Sequence, residues 1–341
     1  MFTETLKDLV AGKQLSEQEA AEMMDEIMEG KASSCQIAAY LSLLSMRGET
    51  VDELAGSVRS MRAHAKPLHY KHPLIDIVGT GGDGTATFNI STAAALVLSS
   101  LGICVAKHGN RSVSSTSGAA DALEALGIDI RSTPEYASEL LDQTHMCFLF
   151  APLYHASMKY AIEPRKALGF RTIFNQLGPL TNPAGAERQL LGVYSVALAE
   201  RYAQAIVKLG TEKTLVVTGE DGMDELTIAG RTDAFLIENG AIQTFSLTPE
   251  DVGLSVGNAA DIQVKNPKES AELIETIFAG SRQNKTAADA VLLNAGAGLY
   301  VSGKTHSIAE GVHEAREAIN SGAALNQLNL MRRQTVETAH V

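Results

Sequence analysis

The stretch LIDIVGTGGDGTATFNIST, residues 74–92, decides the fold. Its first five residues are apolar or β-branched on both sides of Asp76, as in a strand buried on two faces. Gly79, Gly81, Gly82 and Gly84 follow within six positions, and Ser91 and Thr92 then open an alanine- and leucine-rich run of helical period. Outward from it the same alternation recurs. Strands are predicted over 74–78, 103–106, 146–150, 190–194, 215–218 and 234–238. Helices are predicted over 92–100, 119–126, 134–143, 199–209, 268–278, 287–300 and 307–320. Such alternation belongs to the α/β class, with a mostly parallel central sheet flanked by helices. Asn239-Gly240 is a hairpin turn and predicts one antiparallel pair, with a partner over 241–246.

The first 65 residues read differently, as a small helical unit. Ser16 with Glu19, Ser33 with Gln36 and Thr50 with Glu53 each match the capping box, and Gly30 and Gly48 stop two of the helices that begin there. Residues 66–73, with Pro67 and Pro73, form a linker. A chain of 341 residues is long enough for about two domains.

Lys and Arg number 28 against 40 Asp and Glu, a net charge of -12, which argues against nucleic-acid binding because phosphate attraction needs a basic face. Any phosphate site is therefore local. Cys35, Cys104 and Cys147 are odd in number and unpaired in spacing, which predicts buried reduced thiols. The N-terminus lacks the charged-then-apolar order of a signal peptide, and no apolar run approaches the ~18 residues that span a bilayer. These features predict a cytoplasmic protein with no membrane contact.

Three glycine patterns compete for the chemistry. Gly298, Gly303, Lys304 and Thr305 fit a phosphate-loop pattern, but a helical run precedes them where that loop needs a strand, so they read as a helix end. Gly79, Gly81 and Gly84 fit a dinucleotide fingerprint, but the second strand ends at Lys107, where that fold places an acid for the ribose. What remains is a phosphate cradle with two walls. One is the loop 79–84 with the helix start 89–92; the other runs from Lys107 through His108, Gly109, Asn110 and Arg111 to Gly118. Asp221-Gly222-Met223-Asp224-Glu225 follows a strand end, and adjacent acids project to two positions suited to a Mg²⁺-polyphosphate. Lys159, Arg165, Lys166 and Arg171 add a third basic element, fit for a planar carboxylate. His64, His145, His155, His306 and His313 have no acid or cysteine at metal spacing and read as capping or partly buried residues.

GTGGD at 79–83, NIST at 89–92, KHGNR at 107–111, LEALG at 123–127, RTIFNQLGPLTNP at 171–183 and DGMDE at 221–225 together resemble the anthranilate phosphoribosyltransferase family, end to end and in order. The resemblance implies a helical domain over 1–70, joined by helices from about 155–190, and a phosphoribosyl-pyrophosphate-binding α/β domain over 71–341, usually as a homodimer. It implies Mg²⁺-dependent transfer of phosphoribosyl from phosphoribosyl pyrophosphate to anthranilate, within tryptophan synthesis. It assigns the donor to Gly79, Gly82, Asp83, Thr87, Asn89, Ile90, Ser91, Thr92, Lys107, His108, Gly109, Asn110, Arg111, Ser112, Val113, Ser114, Ser115 and Ala119. Anthranilate falls to Gly79, His108, Asn110, Arg165 and Gly178, with Pro179 along the entry. Mg²⁺ falls to Ser91, Asp224 and Glu225, and the catalytic roles to Lys107, Asp224 and Glu225.

Two positions depart from the family. Ala119 stands where a serine is usual and Thr116 where lysine is frequent. A lost neutral hydrogen bond costs about 0.5–1.5 kcal/mol, so weaker donor binding is expected with the reaction unchanged. Two other readings are distinguishable: a pyrimidine nucleoside phosphorylase, which carries a further C-terminal domain, and a non-catalytic nucleic-acid-binding relative, which the net charge and the intact acids oppose.

Overall fold

The computed structural model of the chain describes residues 1–112, 117–281 and 283–338. A helical bundle comes first: α1 (Phe2–Val10), α2 (Glu17–Met28), α3 (Ser34–Arg47) and α4 (Val51–Ala63). All three capping boxes form, each hydroxyl accepting the backbone N–H three residues on. Gly30 and Gly48 adopt φ of +72° and +84° just past their helices, which glycine alone tolerates without strain. α1 has Met1 at its N-cap, with no side-chain hydrogen bond, so no local signal marked it.

The larger part alternates strand and helix. β1 (Ile75–Gly79), α5 (Ile90–Ser100), β2 (Val105–Gly109), α6 (Ala119–Ala125), α7 (Pro134–Thr144) and β3 (Met146–Phe150) form its first half. α8 (Ala151–Tyr154), α9 (Lys159–Leu168) and α10 (Ile173–Leu177) then leave the sheet, and a 3-10 turn over Gly178–Leu180 returns toward β4 (Arg188–Gly192). α11 (Val196–Leu209), β5 (Lys213–Gly219), β6 (Thr232–Glu238), β7 (Ala241–Leu247), α12 (Pro267–Phe278), α13 (Lys285–Val301), α14 (Ile308–Asn320) and α15 (Ala323–Thr338) complete the chain.

The seven strands run in the order β3-β2-β1-β4-β5-β6-β7. The first five are parallel. β6 is antiparallel to β5 as well as to β7, so there are two antiparallel pairs where one was expected; the turn at Asn239-Gly240 signals only the second of them. On one face of the sheet α5 and α13 form a continuous apolar core with α14 and α15. On the other, α11 packs on β5 and β6, and α4 packs on α11, so the bundle shares one core with Leu191, Val216 and Phe235 of the sheet. α9 contacts α2 and α3, and α10 contacts α3 and α4. Among the thiols only Cys147 is buried; Cys104 is half-buried, and Cys35, at the solvent side of α3, is exposed, contrary to expectation. No helix among the described residues is long and apolar enough to cross a membrane.

α13 and α14 cross in direct backbone contact, because Gly296 and Gly311 meet there. A Cβ on Gly311 would overlap the Gly296 carbonyl oxygen, which cannot rotate away. Gly311→Ala is therefore expected to lower the thermal midpoint, overpacking costing about 1–3 kcal/mol. Alanine's intrinsic helix preference alone, about 1 kcal/mol, gives the opposite sign, so a raised midpoint contradicts the contact.

Candidate active site

β1 is flanked by β2 on one side and β4 on the other, so the strand order reverses between β1 and β4 and a crevice opens at their C-terminal ends. The two strands finish in register on glycines, Gly79 opposite Gly192. The acidic turn after β5 lies directly over them. A Cβ on Gly192 would overlap the Asp224 carbonyl, and one on Gly79 the Asp224 carboxylate. Asn294 of α13 anchors the far end of the turn, accepting the Leu226 N–H and donating to the Leu226 carbonyl, both at 3.0 Å. Asp224 and Glu225 are thus seated at the switch point rather than exposed in a solvated loop.

The two acids project apart. Asp224 Oδ2 accepts the Gly81 N–H at 2.6 Å, and Glu225 Oε1 accepts the Ser91 N–H at 3.2 Å. Burial pushes both carboxyls above the usual carboxylate range, and the neighbouring charge adds to it: Asp83 on Asp224, Asp224 on Glu225. Below them Lys107 is 1% exposed, its Nζ donating to the Ile77 carbonyl at 2.6 Å and to Ser91 Oγ at 3.1 Å. Burial holds its ammonium below the ordinary lysine range, against the opposing pull of Asp76, Glu225 and Asp224. Asp224 and Glu225, with Asp83 beside Asp224, outnumber the one buried cation that faces them. Their hard oxygen donors and surplus negative charge fit a Mg²⁺ ion. No group of three His, Cys, Asp or Glu at ligating distance occurs among the described residues, and Mg²⁺ needs none, since one or two carboxylates plus substrate and water oxygens complete its shell.

The two walls are joined. Asn89 Nδ2 donates to the Ser117 carbonyl at 2.9 Å, which ties the start of α5 to the far end of the second wall. Several sequence-assigned residues are engaged elsewhere. Thr92 Oγ1 donates to Asn89 Oδ1 at 2.9 Å, and Ile90 is fully buried in the core. Arg111 pairs with Asp121 and Glu124 of α6 and lies 5.7 Å from the Phe150 ring centroid. The Ser112 N–H donates to Asp121 Oδ2. Thr87 bridges to Gln263, and Ala119 begins α6 beside Gly109. Val113, Ser114, Ser115 and Thr116 lie outside the described residues.

Beyond Lys107 the strand continues to His108, whose Nδ1–H donates to the Gly178 carbonyl at 3.2 Å. His155 packs against it with ring centroids 5.2 Å apart, a pairing that no sequence spacing announced. Burial depresses both imidazoles, His108 to about 3 and His155 to about 4, so both are neutral at pH 7. Asn110 is exposed at the end of β2, and its Oδ1 accepts the Arg111 N–H. Arg165 lies over Phe174 at 5.3 Å, and burial lowers its pKa. Beneath them Asp76, fully buried, accepts the His108 N–H at 3.1 Å and Asn182 Nδ2 at 2.8 Å. Its position as the one charge in an apolar strand was the available signal. Asn182, reached from 106 residues away, gave none.

Residues 71–325 match the glycosyl transferase family a/b domain, and residues 3–65 match the helical bundle domain of the same family. An anthranilate phosphoribosyltransferase of Geobacillus kaustophilus is 53% identical over 98% of this chain and 99% of its own length. The crystal structure of the Thermus thermophilus anthranilate phosphoribosyltransferase superposes with a TM-score of 0.90 at 44% identity, covering 97% of this chain and 98% of that one. The Saccharomyces cerevisiae anthranilate phosphoribosyltransferase in complex with PRPP and Mg gives 0.90 at 29% identity, covering 98% of each chain, and the same yeast protein is also known in complex with 4-fluoroanthranilate.

Asn182→Ala leaves the Asp76 carboxylate short of a donor, which costs about 1–3 kcal/mol. Burial already holds that carboxyl up at about 6, above the usual carboxylate range, so its charged form opposes folding as pH rises through the folded pKa. Losing the Asn182 donor raises it further. The destabilisation in urea is expected to be larger at pH 8 than at pH 5, and an equal or smaller loss at pH 8 contradicts the assignment.

Proposed function

The chain belongs to the anthranilate phosphoribosyltransferase family and transfers phosphoribosyl from phosphoribosyl pyrophosphate (PRPP) to the amine of anthranilate, a step of tryptophan biosynthesis; from that premise we propose which residues perform it. The donor lies between loop 79–84 and the wall that begins at Lys107, with its diphosphate over the switch point. The seating of the Asp224-Glu225 turn on Gly79 and Gly192 carries this reading, because from it Asp224 reaches the glycine loop and Glu225 the start of α5, where Lys107 of the second wall also bonds Ser91.

Ser91, Asp224 and Glu225 are the residues that would hold Mg²⁺, assisted by Asp83 at second remove. When bound, Mg²⁺ offsets charge on the diphosphate oxygens as the bond to the anomeric carbon breaks. Lys107 acts through Ser91: it fixes the hydroxyl and moderates the charge of the acids from below. The remaining donor grip comes from backbone amides of the glycine loop, which approach closely because no Cβ intervenes.

On the acceptor side the amine of anthranilate is already neutral at pH 7 and needs orientation more than a base. His108 donates from Nδ1 to Gly178, so its Nε2, buried and without a partner in the structure, is a bare acceptor suited to an amine N–H. Arg165 suits the carboxylate, held as a planar fork. The C–N bond forms at the anomeric carbon as pyrophosphate leaves, and the amine proton passes to solvent.

The same reading extends to assembly and location. Met46 on α3, Ile162 on α9 and Phe170 just beyond it are exposed apolar side chains on neighbouring elements, which supports a homodimer formed through the bundle. Three unpaired cysteines support a reducing cytoplasm.

Loss of anthranilate fluorescence, followed with and without PRPP and Mg²⁺, tests the function: it is expected only when both are present. Asp224→Asn with Glu225→Gln is expected to lower turnover by about a hundredfold or more while circular dichroism is retained, the range seen when transition-state charge stabilisation is removed. Wild-type turnover in that double variant contradicts the assignment of the acids.

A further inference from the structure

Arg171 stands between the two halves of the cleft, just past Gly169, the left-handed residue that ends α9, and one residue before the cap of α10. Three contacts seat it. Ser45 Oγ on α3 donates to the Arg171 carbonyl at 3.2 Å, the guanidinium lies 4.8 Å from the Tyr194 ring centroid, and the same guanidinium donates to the Gly82 carbonyl. Ser45 belongs to the bundle, Tyr194 follows the end of β4, and Gly82 is the middle of the glycine loop. No carboxylate pairs with Arg171 among the described residues.

The Gly82 contact bears on the direction of an amide. A trans peptide points its C=O and N–H in opposite directions, and no cis bond occurs here. Holding the Gly82 carbonyl toward Arg171 therefore turns the Asp83 N–H away from it. Gly81 and Gly82, at φ of +68° and +72°, offer little conformational resistance of their own to another orientation. The Gly81 N–H is meanwhile held on Asp224. One handle comes from the acidic turn and the other from Arg171.

We propose that Arg171 is a positioning residue for the donor: clamped by Ser45 and Tyr194, it holds the Gly82 carbonyl and so orients the glycine-loop amides that receive the diphosphate. This rests on the donor site proposed above. The planar guanidinium is essential to the role, because only a flat fork both stacks on Tyr194 and donates in line to a carbonyl.

Steady-state kinetics of Arg171→Ala, Arg171→Lys and Tyr194→Leu test it, with wild-type turnover measured first so that failure of the donor site itself is recognised separately. Arg171→Ala is expected to raise the KM for PRPP about tenfold, the range of one lost charge-assisted hydrogen bond, with the KM for anthranilate and kcat within about threefold. Arg171→Lys keeps the charge and is expected not to restore the KM, and Tyr194→Leu to raise it in the same direction. An unchanged KM for PRPP in Arg171→Ala overturns the proposal. So does full rescue by lysine with a silent Tyr194→Leu, which assigns the residue a role of charge alone.

Discussion

The close approach of Asp224, through its carboxylate to Gly79 and its backbone to Gly192, is the contact on which the site depends. Paired strands ordinarily end with side chains that keep the following loops at a distance. Here both ends lack a Cβ, so the turn after β5 settles on the sheet and carries two acids to the place where the strand order reverses. From that seat Asp224 reaches the glycine loop and Glu225 reaches the start of α5. The α5 terminus is in turn tied to the second wall through Asn89 and Ser117. One steric permission thus brings four separate segments of chain around one small volume.

That arrangement is electrostatically uncomfortable by itself. Burying charge is costly unless it is paired, and one lysine, itself driven down by burial, faces three carboxylates. A divalent cation would offset the surplus of the acids, and in the proposed site the diphosphate would then answer the cation and the loop amides. The proposed acceptor side is of the opposite kind: two neutral histidines and a half-buried arginine over an aromatic ring suit a flat aromatic acid rather than a polyphosphate.

Local chemistry was legible in the sequence, and long-range chemistry was not. Capping boxes at Ser16, Ser33 and Thr50 involve residues three apart, and all three form. Strand 146–150 occupies the expected positions, because an unbroken apolar run of this length carries its own signal. α15 was missed: Gly322 stands before it where a capping side chain is usual. The antiparallel β5–β6 pair depends on a twelve-residue connection containing the acidic turn, which no two-residue turn signal describes. At the site, DGMDE and the glycine loop were readable as chemistry, but not that one lies on the other. Arg111 looked like a phosphate ligand from its place after KHGN, yet Asp121 and Glu124, ten and thirteen residues on, capture it. Asn182 and His155 come from distant segments that only folding brings to Asp76 and His108.

The most direct measurement is a crystal structure of the enzyme soaked with PRPP and Mg²⁺. The account predicts the diphosphate between loop 79–84 and the wall beginning at Lys107, with metal density against the Asp224 and Glu225 carboxylates. A diphosphate bound away from that crevice, or a metal held by other residues while Asp224 and Glu225 remain uninvolved, contradicts it.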